Sequence, residues 1–90
     1  MENRSFPKYR KYAHERTYFK ILSAEHFEEL AIHGSFYSLR PFRAQIHPDR
    51  VLINDMIQNH NNHWLESNEK EYEEKVAYCK QKLKELKISE

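Results

Sequence analysis

Six histidines, one cysteine and fourteen acidic residues are the groups through which this 90-residue chain could do chemistry. His60 and His63 stand three apart in Gln58–His63, QNHNNH, and two imidazoles beside three asparagines raise the question of a metal. A zinc site needs three or four convergent Cys, His or carboxylate ligands. Cys79 falls in an apolar helix seam and no third ligand stands at a useful spacing, so no metal is expected. A nucleophilic enzyme needs Ser or Cys beside a positioned base. Cys79 has no such partner, and Ser23 and Ser67 sit where helix caps belong. Glu28 and Glu29 are adjacent and point in different directions on a helix or a strand, which rules against a shared proton. With Gly34 as the only glycine there is no phosphate-cradling loop. No catalytic constellation is readable, and neither enzymatic activity nor a cofactor is expected.

The remaining candidate is a binding surface. Arg4, Lys8, Arg10, Lys11, Arg16 and Lys20 interleave with Tyr9, Tyr12 and Tyr18. A basic sheet face with exposed tyrosines takes phosphate contacts and stacks bases. The net charge of +1 hides an asymmetry: all six arginines lie at or before Arg50, and the chain beyond carries lysines and acids. Arginine's planar fork suits phosphate or carboxylate better than lysine does. Against this, the isoelectric point near 7.9 is below the level that makes the electrostatic case strong. The competing use of the same residues is ordinary: the tyrosines pack and the cations solvate a sheet edge.

Ninety residues make one domain, residues 1–90, with room for a single small core. Five Phe, six Tyr and one Trp argue against disorder despite a mean hydropathy of −1.00. No apolar run is long enough to span a membrane, and MENRSFPKYRK lacks the apolar stretch of a signal peptide. A single cysteine fits a reducing cytoplasm.

The elements that would position these residues divide at Ala44–Gln58, AQIHPDRVLINDMIQ, where sheet gives way to helix. Residues 1–7 form a loose arm and residues 8–46 the sheet region. Lys8–Tyr12 and Thr17–Leu22 read as a hairpin joined by Ala13–Arg16, with Phe19 and Ile21 on one face. Ser23 as N-cap, then Phe27, Leu30 and Ala31 at helical spacing, with Gly34 at the C-cap, predict a short helix over 24–33. The alternative is a strand from Glu28 to His33 turning at Gly34-Ser35.

Phe36–Ile46 is the third strand. Tyr37 and Leu39 are out of phase with Phe42, Ala44 and Ile46, so a bulge is expected near Arg40-Pro41. Pro48 and Asp49 open a helix over 48–58 that buries Leu52, Ile53, Met56 and Ile57. After a polar connector, Trp64 and Leu65 fold back onto the core. Ser67 caps a last helix over 68–86 with Tyr72, Val76, Cys79, Leu83 and Leu86 spaced 4, 3, 4, 3. That seam lies on the sheet or, alternatively, builds a homodimer. The expected fold is α+β: a three-stranded antiparallel sheet with a short, a middle and a long C-terminal helix packed on one face.

Two resemblances bear on function. His47-Pro48-Asp49 resembles the HPD tripeptide of J-domain co-chaperones, and Tyr18–Leu22 resembles the start of such domains. That likeness implies a co-chaperone, but a J-domain places HPD after a long basic helix, where this chain has Pro41 and strand-like spacing. The succession YRKY…YFKILS…FEEL…G…AQIHPDRVLINDMI…W…EYEE, from Tyr9 to Glu74, resembles a group of short, uncharacterised bacterial proteins. Pro48, Asp49, Arg50, Asp55, Met56 and Trp64 carry it. It implies a bacterial cytoplasmic origin and brings no activity. The expectation is therefore a small non-catalytic interaction module with a protein partner; nucleic-acid binding by the hairpin is the alternative.

Overall fold

The computed structural model describes residues 6–60 and 62–86. The chain forms a six-stranded mixed sheet with two helices. The strands are β1 (Lys8–Lys11), β2 (Thr17–Ser23), β3 (His26–His33), β4 (Phe36–Arg43), β5 (Leu65–Glu66) and β6 (Lys84–Glu85). Their order is β5-β1-β2-β3-β4-β6, antiparallel throughout except for the parallel pair of β4 and β6. Helices α1 (His47–Gln58) and α2 (Glu69–Lys82) complete the fold.

The three-stranded sheet and the helix over 24–33 are overturned. Residues 26–33 are a strand paired along both sides, Thr17 opposite Ala31 and Ala31 opposite Ser38. Ser23 caps no helix; its hydroxyl accepts from the Glu25 N–H at 3.1 Å and tightens the β2–β3 turn. Gly34 has φ +65° at the first central position of the two-residue β3–β4 turn, the pattern of a type II′ hairpin.

The expectation of helices on one face also fails. Cross-strand partners share a face, so the registers sort the sheet cleanly. Phe19, Ile21, Phe27 and Phe42 lie on the side covered by Ile53, Met56 and Ile57 of α1. Tyr9, Tyr18, Leu30, Tyr37 and Leu39 lie on the side covered by Tyr72, Val76 and Cys79 of α2. The sheet is the middle layer of three. Strands buried on both faces lose the apolar–polar alternation, which is why Phe27, Leu30 and Ala31 imitate a helical stripe.

The same fact removes the bulge expected at Arg40-Pro41. Tyr37 and Leu39 face α2 and Phe42 faces α1, and the β3–β4 register runs unbroken from His33–Phe36 to His26–Arg43. The irregularity falls in β2 instead, between Ile21 and Ser23. Counted from the hairpin turn, Pro41 occupies a non-hydrogen-bonded pair, so its missing N–H faces the outer edge of β4. Among the described residues β6 covers that edge at Phe36 and Tyr37, and Pro41 blunts the edge further along.

Helix α1 starts as its sequence predicts, one residue earlier. The Asp49 carboxylate accepts from the backbone N–H groups of Gln45 and Ile46 at 2.9 and 3.3 Å, holding the strand-to-helix corner. Ile53 and Met56 are buried; Leu52 is exposed. Asn68 rather than Ser67 caps α2, accepting from the Glu71 N–H at 2.8 Å. The last helix ends at Lys82, not at Leu86. Leu83 is extended, and Lys84 and Leu86 donate to Ser35 and Tyr37 carbonyls to form β6. No helix among the described residues is long and apolar enough to cross a membrane.

Candidate functional site

The β1–β2 hairpin forms as expected, Lys8 opposite Ile21 and Lys11 opposite Tyr18. It does not bring its cations together. Arg10 is 8% exposed on the α1 side, and its guanidinium donates to three carbonyls: Met56 at 2.9 Å, Tyr9 at 2.9 Å and Ile57 at 3.0 Å. It closes the C-terminal turn of α1, where orphan carbonyls and the negative dipole end call for a cation.

Lys11 is on the opposite side. Its ammonium donates to Glu15 at 2.8 Å and to Glu71 of α2 at 2.6 Å. These partners hold the Lys11 ammonium protonated well above the usual lysine range, and Lys11 and Ser67 together hold the Glu71 carboxyl below its ordinary value. Lys20 faces Glu73 of α2 at 3.8 Å. Lys8 is half-buried on the α1 side, and Arg16 is exposed next to the hairpin turn. Arg4 lies outside the described residues.

The tyrosines pack. Tyr9 is 7% and Tyr18 1% exposed, so neither offers a ring face to a base. Burial pushes both hydroxyls up, with Glu69, Glu73 and Glu28 adding at Tyr9 and Glu15 and Glu71 at Tyr18. Tyr12 is half-buried on the other side, edge-on to Phe19 at 5.5 Å. What surrounds the hairpin on the α2 side is acidic.

The other sequence features have local explanations. Asp49 of His47-Pro48-Asp49 is committed to the α1 start, Arg50 reaches Glu25 at 3.2 Å, and the segment before the tripeptide is strand β4 rather than a helix. The seam residues Tyr72, Val76, Cys79 and Leu83 pack on the sheet, and Leu86 lies beyond the helix. Tyr72 is anchored by its hydroxyl, which donates to Glu28 at 2.7 Å.

Two cavities among the described residues bear on function. One, of about 240 Å³, is lined by Asp55, His60, His63 and Trp64. Asn59, left-handed at φ 50°, clamps its wall: its side-chain amide donates to the Trp64 carbonyl at 2.7 Å and accepts from the Trp64 N–H at 3.1 Å. The buried Trp64 indole N–H has no partner among the described residues. His63 packs edge-on to both Trp64 and Tyr12. Among the described residues no group of three His, Cys, Asp or Glu side chains is placed to hold a metal ion.

The second cavity, of about 290 Å³, lies between the β1–β2 turn and α2 and is lined by Glu15, Tyr18, Glu71, Glu74, Lys75 and Tyr78. The Lys75 ammonium sits 5.8 Å from the Tyr18 ring centre and 5.7 Å from that of Tyr78. Sequence reasoning missed this grouping. Its signal was readable, because 71, 74, 75 and 78 follow the i, i+3, i+4, i+7 rule for one helix face.

No protein family, curated protein or solved structure matches the chain. The likeness of Tyr9–Glu74 to short bacterial proteins therefore rests on those residues alone.

Proposed function

We propose that this chain is a small interaction module whose partner is another protein, contacted through the exposed apolar pair Phe36 and Leu86 on the α1 side of the sheet. The observation that carries this is the pairing of Phe36 and Leu86. The apolar cluster beneath α1 reaches Phe19, Phe27 and Phe42. Next along the same side come half-buried Thr17 and buried Ala31 and Ser38, small residues that belong to neither core cluster. Phe36 shares that side, and the parallel register opposite Lys84 puts Leu86 diagonally beside it. They are 42% and 40% exposed. Two large, exposed apolar side chains side by side give a partner an apolar patch to dock on.

Nucleic-acid binding by the hairpin has less support. Arg10 is spent on α1, Lys11 and Lys20 face carboxylates, and Tyr9 and Tyr18 are buried. Site-specific photo-crosslinking tests the favoured reading. A benzophenone side chain at Phe36 should trap one discrete protein partner in cells, and the same group at Gln81 on the exposed side of α2 should not. Equal, diffuse crosslinking from both positions would count against it.

A further inference from the structure

The cavity between the β1–β2 turn and α2 gathers two tyrosine rings and three carboxylates around one lysine. Tyr78 is 49% exposed, yet its ring and that of buried Tyr18 both lie within cation–π reach of one ammonium. Three carboxylates, Glu15, Glu71 and Glu74, line the same space. Lys11 bridges Glu15 and Glu71. When the flexible Lys75 stem swings toward solvent, the walls keep two aromatic rings and an excess of negative charge. The volume of about 290 Å³ is roughly ten times a water's share of liquid, which is room for a side chain and not only for an ion.

We propose that this cavity is a receptor for a cationic side chain of a partner protein, a lysine ammonium or an arginine guanidinium resting on the exposed ring of Tyr78 and facing Glu74, with buried Tyr18 as the back wall. Lys75 is its internal stand-in. The incoming cation takes over the ring contacts that Lys75 gives up, so this exchange contributes little by itself. Lys11 already bridges Glu15 and Glu71, so net attraction comes from the charge of Glu74 and from the apolar stem lying along the rings. An anion would meet Glu15, Glu71 and Glu74 and is excluded. The site is on the α2 side of the sheet, opposite Phe36 and Leu86, so it stands or falls independently of that apolar pair.

The test is an amide chemical-shift titration of the labelled chain with the blocked peptide Lys-Gly-Lys-Gly-Lys, with Glu-Gly-Glu-Gly-Glu and spermidine as comparators. The lysine peptide should shift Glu15, Tyr18, Glu74 and Tyr78 at millimolar concentration or below, and the glutamate peptide should not. Tyr78→Ala removes an exposed ring and Glu74→Gln one charge; each should weaken binding by about 2- to 5-fold. Lys75→Met should tighten it by about 3-fold or more, because the internal competitor is gone. A purely structural Lys75 would give the opposite sign or no change. The proposal is overturned by absence of shifts in the native-spectrum protein, by unchanged affinity in Lys75→Met, or by binding of spermidine without binding of the peptide.

Discussion

Replacing Arg10 separates a structural cation from a ligand-binding one. In Arg10→Met the aliphatic stem keeps most of its packing, and the Met56, Ile57 and Tyr9 carbonyls lose their donor. The Met56 bond is buried, and water replaces it poorly. A hydrogen bond to a charged group contributes about 1.5–3 kcal/mol where desolvated, and a cation at a helix C-terminus up to about 2 kcal/mol when partly buried. These overlap, and water rescues the part-buried Ile57 carbonyl, so the expected loss is about 3 kcal/mol. A 90-residue domain has about 5–13 kcal/mol in total. With a urea dependence near the low end for small domains, about 1–1.5 kcal/mol per molar, the midpoint should fall by about 2 M.

Buried Trp64, in the cluster packed on α1, supplies the fluorescence signal. Arg10→Lys should recover less than half of the loss, since an ammonium cannot reproduce the planar fork. Lys8→Met and Arg16→Met should stay within about 0.5 kcal/mol of the parent. Should Arg10→Met prove as stable as the parent, the assignment of Arg10 to the α1 terminus is wrong.

The Glu71 carboxyl is held below its ordinary value of 4.5, so its contribution is present above that pH and is lost as pH falls through the lower folded value; Glu71→Gln should flatten stability against pH on the acid side. The Lys11 ammonium is shifted up, so its contribution persists below the ordinary 10.5 and declines as pH rises past it; alkaline urea titrations of Lys11→Met check this. Burial pushes the Cys79 thiol up and encloses it, so iodoacetamide should label it only at the global unfolding rate; rapid labelling of the native chain would refute that. Gly34→Ala meets no atom within 4 Å but places a Cβ at φ +65°, and should cost about 1 kcal/mol in thermal unfolding.

The β1–β2 hairpin, the Pro48-Asp49 start of α1 and the body of α2 were legible because each is written locally. Strand β3 was not. Phe27 faces α1 while Leu30 faces α2, and a strand with two buried faces has no two-residue period to read. Strands β5 and β6, two residues each, exist only as partners of β1 and β4. Two residues carry no period at all. The candidate site was half legible. Glu71, Glu74, Lys75 and Tyr78 share one face of a helix by their spacing, but Lys11 and Glu71 are 60 residues apart, and only the fold says that these charges meet.

The hairpin's cations fail to converge for a reason already contained in its register. Pairing Lys8 with Ile21 and Lys11 with Tyr18 matches even residues of β1 with odd residues of β2. Even positions in β1 therefore share a side with odd positions in β2. Lys8 and Arg10 face α1, whereas Lys11 and Lys20 face α2. An interleaved run of basic and aromatic residues makes a one-sided binding face only when its cations share parity through the register, and here they do not. Each helix then meets what falls on its side. α1 brings a C-terminus in need of a cation to Arg10. α2 brings Glu71 and Glu73 to Lys11 and Lys20. With those lysines neutralised, Glu74 and the Tyr78 ring are left on the α2 side to receive a cation, so a stretch that suggests a polyanion in the sequence supports the opposite ligand in the fold.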